Sequence, residues 1–422
     1  MRAFYSFMWV LALPLVLLRL WLRGRKEPGY RAHWGERLGF YSQAARSGQM
    51  TLWVHAVSVG ETRAAEPLVD ALLAAYPQSR ILLTHMTPTG RATGRSLFAR
   101  HGDRLVQSYL PYDIGFIVAR FVRHYSPSIC ILMETEVWPN LIAACKAMDV
   151  PVALVNARLS ERSLRRGQRF GKLMTEAARS VPVVAAQTAD DAQRIRSLGA
   201  PNVGVTGSIK FDVVVPQAAL DLGVWMRERF GGRKVFLCAS TRDGEEQPIL
   251  EAFARIDASA RPLLLLVPRH PQRFDEVAAL VAAAGLSVQR RSALGPDDPV
   301  RCDVLLGDSM GEMFAYYAAS DVAFIGGSLQ PLGGQNLIEA CALGKPVLIG
   351  EHTFNFLEVS EQAVAAGAAR RVADAAALVD AALALLSNGP ERAAMGERAA
   401  AFANHHRGAT ARTLALIAPC IS

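Results

Sequence analysis

From about residue 50 onward, short apolar runs alternate with amphipathic stretches along the chain. The runs Thr51–Val57, Arg80–His85, Leu105–Leu110, Ile129–Met133, Val152–Val155 and Val183–Ala186 are rich in aliphatic and β-branched residues and predict strands. Between them, segments such as Thr62–Ala75, Thr89–Arg100 and Asn140–Met148 carry apolar positions at helical spacing. Strands that are apolar throughout and separated by helices predict a parallel sheet covered on both faces. The rhythm pauses at Gly207–Gln217. It restarts with strands at Lys234–Ala239, Pro262–Val267, Asp303–Leu306, Val322–Ile325 and Pro346–Ile349. Two βα halves joined by a short linker predict an α/β chain of two Rossmann-like domains facing a cleft. The Ala-rich stretch from about 363 to 401 predicts helices.

The N-terminus follows a different pattern. Residues 3–18 carry no charge, and the apolar run resumes past Arg19 as Leu20, Trp21 and Leu22. As a helix this segment would be about 24–30 Å long, enough for a bilayer core if Arg19 snorkels. Arg23, Arg25, Lys26, Arg31 and Arg37 follow it. A secretory signal places its positive charge ahead of the apolar run, so the reversed order predicts a membrane anchor with the rest of the chain in the cytoplasm. A helix lying in the interface, or one buried in the core, fits the same composition. The basic, aromatic segment from Arg23 to Tyr41 is expected near anionic lipid. The expected division is an anchor at 1–25, a first domain at 26–212 and a second at 213–422, whose last helix is able to pack back on the first.

A length of 422 residues fits two domains, and 51% hydrophobic with 20% charged residues sets disorder aside. The net charge of +8 favours polyanionic partners. Lys and Arg are spread over both halves without a basic-aromatic run beyond the N-terminus, which argues against nucleic acid. Six cysteines without a C-x-x-C pair predict reduced, buried thiols. Neither G-x-G-x-x-G after the first strand, nor a P-loop, H-E-x-x-H or Asp-x-Asp is present. Nicotinamide chemistry, P-loop hydrolysis and a zincin site are therefore not expected, and no cofactor or metal is.

Polar loops fall at the expected strand ends, where an open α/β sheet binds its ligands. His55-Ala-Val-Ser-Val-Gly-Glu61 follows the first strand. Glu61 there is either a general base, kept ionised by a helix N-terminus, or the acid of a Ser58-x-x-Glu61 capping box. Glu134 and Glu136 of Met133-Glu-Thr-Glu-Val-Trp-Pro-Asn140 share one side of the chain if it stays extended; solvated loop acids are the alternative. Lys210, in Gly207-Ser-Ile-Lys-Phe-Asp212, is either a cation for an anionic ligand or an ordinary exposed lysine. Ser240, Thr241 and Arg242 are expected to open the second domain's first helix as a phosphate or carboxylate site, or simply to cap it. Arg269 and His270 sit in Val267-Pro-Arg-His-Pro271, and Ser309-x-x-Glu312 reads as a capping box with amides exposed around Gly311. Four glycines between Gly326 and Gly334 let backbone approach a phosphate, and Asn336 and Glu339 can point the same way, toward a ribose diol.

The ordered set HAVSVGE, METEVWPN, GSIKFD, STRDGEE, VPRHPQRF, GDSMGEM and GGQNLIE resembles the Kdo (3-deoxy-manno-octulosonic acid) transferases of lipopolysaccharide assembly, which are GT-B glycosyltransferases. The resemblance runs from the N-terminus to about residue 360. It implies inverting, metal-independent transfer from CMP-Kdo to a lipid A precursor at the cytoplasmic side of the inner membrane. It further implies that Glu61 is the base and that Lys210 and Glu134 stabilise the transition state, with Glu136 too close to Glu134 to set aside. Arg269, His270, Gly311, Glu312, Met313, Asn336, Leu337, Ile338 and Glu339 fall where the family holds CMP. A UDP-sugar transferase, a nucleotide-sugar epimerase or a membrane-tethered scaffold are the competing functions.

Overall fold

The computed structural model describes residues 1–25, 27–41, 48–169 and 171–421. Lys26, part of the basic segment expected near lipid, lies outside the described residues. The chain forms two compact units, one of Met1–Asp212 with His406–Ser422 and one of Val213–His405.

The first unit is built on seven parallel strands: β1 (Thr51–His55), β2 (Arg80–His85), β3 (Leu105–Tyr109), β4 (Ile129–Met133), β5 (Val152–Ala157), β6 (Val183–Ala186) and β7 (Val203–Val205). Their order across the sheet is β3-β2-β1-β4-β5-β6-β7. The strand order reverses between β1 and β4, which pair with Trp53 opposite Cys130 and His55 opposite Leu132. Alternation along β1 sends Trp53 to one face, against Phe121 and Leu141, and Leu52 and Val54 to the other, against Leu68 and Leu72. Both faces are covered, as the continuous apolar strands require. The Ala409–Ile417 helix belongs to this second face, and Ala409 and Ile417 are fully buried in it.

The second unit repeats the plan with β8 (Val235–Thr241), β9 (Leu263–Pro268), β10 (Val288–Arg290), β11 (Val304–Leu306), β12 (Val322–Ile325), β13 (Val347–Ile349) and β14 (Ala369–Arg371). Its order, β10-β11-β9-β8-β12-β13-β14, reverses between β8 and β12. Phe236, Leu264 and Phe324 pack against Ile249, Phe253, Leu378 and Leu385 of the covering helices. Three short strands, β7, β10 and β14, were not expected from the sequence, and β14 interrupts the Ala-rich stretch expected to be helical throughout. Each is a short, partly exposed strand at a sheet edge with Gly, Gln or Arg in it, so it shows no continuous apolar run. The helix expected over 62–75 is two helices, Val59–Ala64 and Glu66–Ala75, separated at Ala65 with Pro67 in the first turn of the second. All six cysteines are unpaired, and five are buried.

The N-terminal helix, Arg2–Arg23, is long and apolar enough to cross a membrane. One side of it packs on its own unit: Trp9 stacks on Tyr112 at 5.8 Å, and Leu13, Val16, Leu17 and Leu20 meet Ile114 and Ile117. Ser6 Oγ and the Asn140 side chain lie within 2.9 Å. The opposite side leaves Phe4, Phe7, Leu11, Leu15, Leu18 and Leu22 exposed. Phe40 and Phe116 are exposed as well.

Asp212, the last residue before the chain enters the second unit, accepts hydrogen bonds from Gly408 N–H at 2.6 Å and Thr410 N–H at 2.5 Å. It thereby caps the Ala409–Ile417 helix, whose own N-cap residue, Gly408, has no side chain to do so. Phe211 stacks on His406 beside it, with ring centroids 4.5 Å apart. Asp212→Ala is expected to destabilise the first unit by about 1–3 kcal/mol. Hydrogen exchange should locate the loss at the amides of Gly408 and Thr410; unchanged protection there would contradict the assignment.

Candidate active site

The ends of β1 and β4 flank the reversal point of the first sheet, the position where such sheets bind ligands. After β1 the chain turns through Val57 and Ser58 into the Val59–Ala64 helix. Ser58 Oγ accepts from Glu61 N–H at 3.4 Å, the forward half of a capping box. The return half is displaced by one residue: Glu61 Oε2 accepts from Val57 N–H at 2.6 Å. The cap therefore exists and leaves the Glu61 carboxyl partly buried at the strand end. Burial, the largest cause, raises its pKa to about 7. The Val57 N–H opposes the rise, Glu134 and Glu136 add to it, and Lys210 opposes it. The expectation that a helix terminus would keep Glu61 ionised is thus corrected: desolvation and two neighbouring acids outweigh a helix of six residues.

Beyond β4 the chain does not stay extended. Glu134 adopts a left-handed backbone at φ 57°, unusual outside glycine, and turns the two acids toward different partners. Glu134 Oε1 pairs with Lys210 Nζ at 2.7 Å. Glu136 Oε2 accepts from Trp138 Nε1–H at 2.8 Å, and burial raises its pKa. The shared side expected from alternation is therefore not observed, although both acids act on Glu61. Lys210 is not an ordinary surface lysine. It sits in the Ile209–Phe211 turn, whose Ile209 N–H donates to Asn156 Oδ1 at 3.1 Å. Asn156 is itself left-handed, at φ 51°, where the β5–β6 register shifts. Neither Asn156 nor Trp138 was singled out from sequence; the one available signal was a polar residue near the end of an apolar strand.

In the second unit, Ser240 and Thr241 belong to β8, and the following helix starts only at Glu246. The expectation that they open that helix is corrected. Ser240 is left-handed at φ 56° on a register shift, and Thr241 is buried, its Oγ1 without a hydrogen-bond partner. Gly326 must be glycine because a Cβ would lie 2.5 Å from the Ser240 carbonyl oxygen. The glycine loop is organised from within by Glu245, which the sequence reading missed. Its Oε2 accepts from Gly327 N–H at 2.7 Å and Arg242 N–H at 2.9 Å. Its Oε1 accepts from Ser328 N–H and Leu329 N–H, both at 3.0 Å. The amides of 327–329 are thus occupied by a carboxylate of the chain itself, which corrects the expectation that this stretch is open to a phosphate.

Around that loop the charge is positive. His270 is exposed and its pKa is lowered, by partial burial first and then by Arg242, Arg269 and Arg273. Arg273 is committed to Glu246 at 2.7 Å and Glu276 at 2.8 Å. Arg269 N–H donates to the Thr241 carbonyl at 2.9 Å, which holds its loop against β8. Asn336 Nδ2 lies 3.4 Å from Glu339 Oε1, so these two do point together, with Leu337 and Ile338 buried between them. The Ser309–Glu312 capping box is absent. The helix starts at Met313, Ser309 Oγ donates to Glu312 Oε2 at 2.6 Å, and Arg291 pairs with Glu312 at 3.0 Å. Gly311 takes φ 83° just ahead of it. Among the described residues, no group of three or more His, Cys, Asp or Glu is placed to hold a metal ion.

Residues 32–213 match the family model of 3-deoxy-D-manno-octulosonic-acid transferases, and residues 294–402 match that of the group 1 glycosyl transferases. A solved glycosyltransferase from Rickettsia africae superimposes with a TM-score of 0.59 over 89% of this chain and 99% of that one, at 13% identity. Two Rossmann-type sheets with polar loops at their reversal points make the fold GT-B-like, and the two family models make the chain a glycosyltransferase. The 3-deoxy-D-manno-octulosonic acid transferase of Bordetella pertussis is 49% identical over 95% of both chains. That of Haemophilus influenzae is 37% identical over 99% of this chain and 98% of its own. The chain belongs to the 3-deoxy-D-manno-octulosonic acid (Kdo) transferase family.

The raised pKa of Glu61 carries a stability consequence. The folded state holds this proton up to about pH 7, whereas the unfolded chain releases it near 4.5. The stabilisation is complete below pH 4.5 and is lost as pH rises to about 7. Glu61→Gln keeps a neutral side chain throughout. The melting temperature of wild type relative to this variant should therefore fall between pH 4.5 and 7; a constant difference would rule out the raised pKa.

Proposed function

We propose that this enzyme transfers Kdo from CMP-Kdo to a lipid A precursor, with inversion and without a metal ion, at the cytoplasmic face of the inner membrane. The observation that carries the reading is a half-buried carboxyl group, Glu61, held by Val57 N–H at a strand end beside an ion-paired lysine. In the proposed step the acceptor hydroxyl oxygen bonds to the anomeric carbon of Kdo. The bond from that carbon to the CMP phosphate oxygen breaks, and Glu61 takes the hydroxyl proton. A single displacement of this kind inverts the carbon. Lys210, oriented by Glu134, offers a fixed positive charge to the transition state.

The second unit is assigned the nucleotide. Arg242, Arg269 and His270 meet the phosphate and the sugar carboxylate, taking the role that a divalent ion has in other transferases. Ser240, beside them, is a further candidate contact, and the same holds for Thr241 only if its buried hydroxyl becomes accessible. Gly311, Glu312 and Met313 border the base, and Asn336, Leu337, Ile338 and Glu339 present the Glu339 carboxylate to the ribose hydroxyls. The exposed apolar side of Arg2–Arg23 enters lipid, and the basic segment after it meets anionic headgroups, which brings a lipid acceptor to the first unit.

CMP release from the purified chain should require the lipid A precursor. Glu61→Gln should lower it about 10²- to 10⁴-fold while leaving CMP-Kdo binding intact; full activity in this variant would remove Glu61 as the base. A chelator should leave the rate unchanged, and strict dependence on a divalent ion would overturn the metal-free step. Because the base must be ionised, the rate should climb with pH through about 7. Lys210→Met withdraws a charge that lowers the Glu61 pKa, so the midpoint of that climb should move upward.

A further inference from the structure

Beneath Glu61 and Glu136 lies a buried polar chain that the proposed mechanism does not use. Trp53, His55 and Thr84 are all fully buried, on β1 and β2. Trp53 Nε1 and Thr84 Oγ1 are 2.8 Å apart, and His55 Nδ1 lies 2.8 Å from the same oxygen. An indole N–H only donates, so Thr84 accepts from Trp53. The Thr84 hydroxyl hydrogen then has one acceptor among its partners, His55 Nδ1. The Thr84 carbonyl, which receives Ala56 N–H at 3.0 Å, also opposes the lowering of the His55 pKa, but a proton on Nδ1 would leave the Thr84 hydroxyl hydrogen without an acceptor. With Nδ1 accepting, the neutral ring carries its proton on Nε2.

That Nε2–H is buried and has no hydrogen-bond partner among the described residues. The nearest recorded acceptor is Glu136 Oε2, 4.0 Å away, roughly 1 Å beyond hydrogen-bonding reach. A buried donor without a partner is unfavourable, so a small movement that supplies a carboxylate is favoured. His85, on the neighbouring strand, has the opposite arrangement. Its Nδ1 lies 3.0 Å from the Ala56 carbonyl, which only accepts, so that nitrogen carries the proton.

We propose that His55 is a positioning residue for Glu136: its Nε2–H receives the Glu136 carboxylate when the 134–138 turn tightens on bound substrate. Glu136 is then held by two N–H donors, Trp138 and His55, while Glu134 stays with Lys210. The inference rests on the assignment of these acids to the reacting centre, but its first test does not depend on the reaction.

The full chain labelled with ¹⁵N-histidine should show His55, identified by its loss in His55→Gln, as a neutral ring protonated on Nε2 at pH 6–8. His85 should show the opposite tautomer and serves as the internal reference. A proton on Nδ1 of His55, or an imidazolium at pH 6, would overturn the proposal. In CMP-release assays, His55→Gln, which keeps an N–H near the Nε2 position, should retain kcat within about tenfold. His55→Leu should lose about 100-fold in kcat with KM unchanged. A folded His55→Leu as active as His55→Gln overturns the positioning role; if neither variant folds, His55 is assigned in the wild type by through-bond correlation to its own backbone, and a proton on Nδ1 overturns the proposal. If the tautomers are as stated but no Kdo is transferred, the reaction assignment fails and the hydrogen-bond chain stands.

Discussion

Three carboxylates meet at the reversal point of the first sheet with one ammonium among them, and the surrounding structure is shaped by keeping them there. Like charges in a partly dry setting repel, and each loses hydration. Lys210 pairs with Glu134, Trp138 holds Glu136, and burial first, then the two other acids, raises the Glu61 pKa to about 7. The same destabilising burial would match that group to neutral pH in the proposed role of base. A more exposed Glu61 would sit lower in pKa and accept a proton less readily.

The two sheets solve the same geometric problem by similar means. In each, a non-glycine residue takes a left-handed backbone beside the reversal point, Glu134 after β4 and Ser240 in β8. The turn re-aims the chain where an extended strand would have run on. The units differ in what fills the edge. The first presents acids and a lysine; the second gives its loop amides to Glu245 and leaves arginines around His270. An internal carboxylate organises the loop, and partial burial first, then the surrounding arginines, lowers the pKa of His270 beside it.

Much of the fold was legible because doubly covered parallel strands are continuous apolar runs, and eleven of the strands were anticipated on that basis. The edge strands β7, β10 and β14 were not, since they are partly exposed and mix Gly, Gln and Arg among their few residues, unlike the equally short but wholly apolar β11 and β13. The loops after the strands were also legible, because glycines, hydroxyls and acids cluster there. Their internal wiring was not. Glu245 looks like any loop acid until four amides are seen converging on it, and the Ser240 and Ser309 segments resembled caps because capping and strand-end chemistry draw on the same residue types. His55 and Thr84 were invisible as a pair: in a strand buried on both faces, alternation does not reveal which polar side chains meet.

The bond from Asp212 to Gly408 and Thr410 fastens the outgoing chain to the returning one. In topological terms the second unit is an insertion into the first, entering and leaving at neighbouring points on one surface. A unit attached in this way can be exchanged as a single cassette without rebuilding its host. It also follows that a short peptide closing 212 onto 406 would preserve every strand of the host sheet together with its terminal helix.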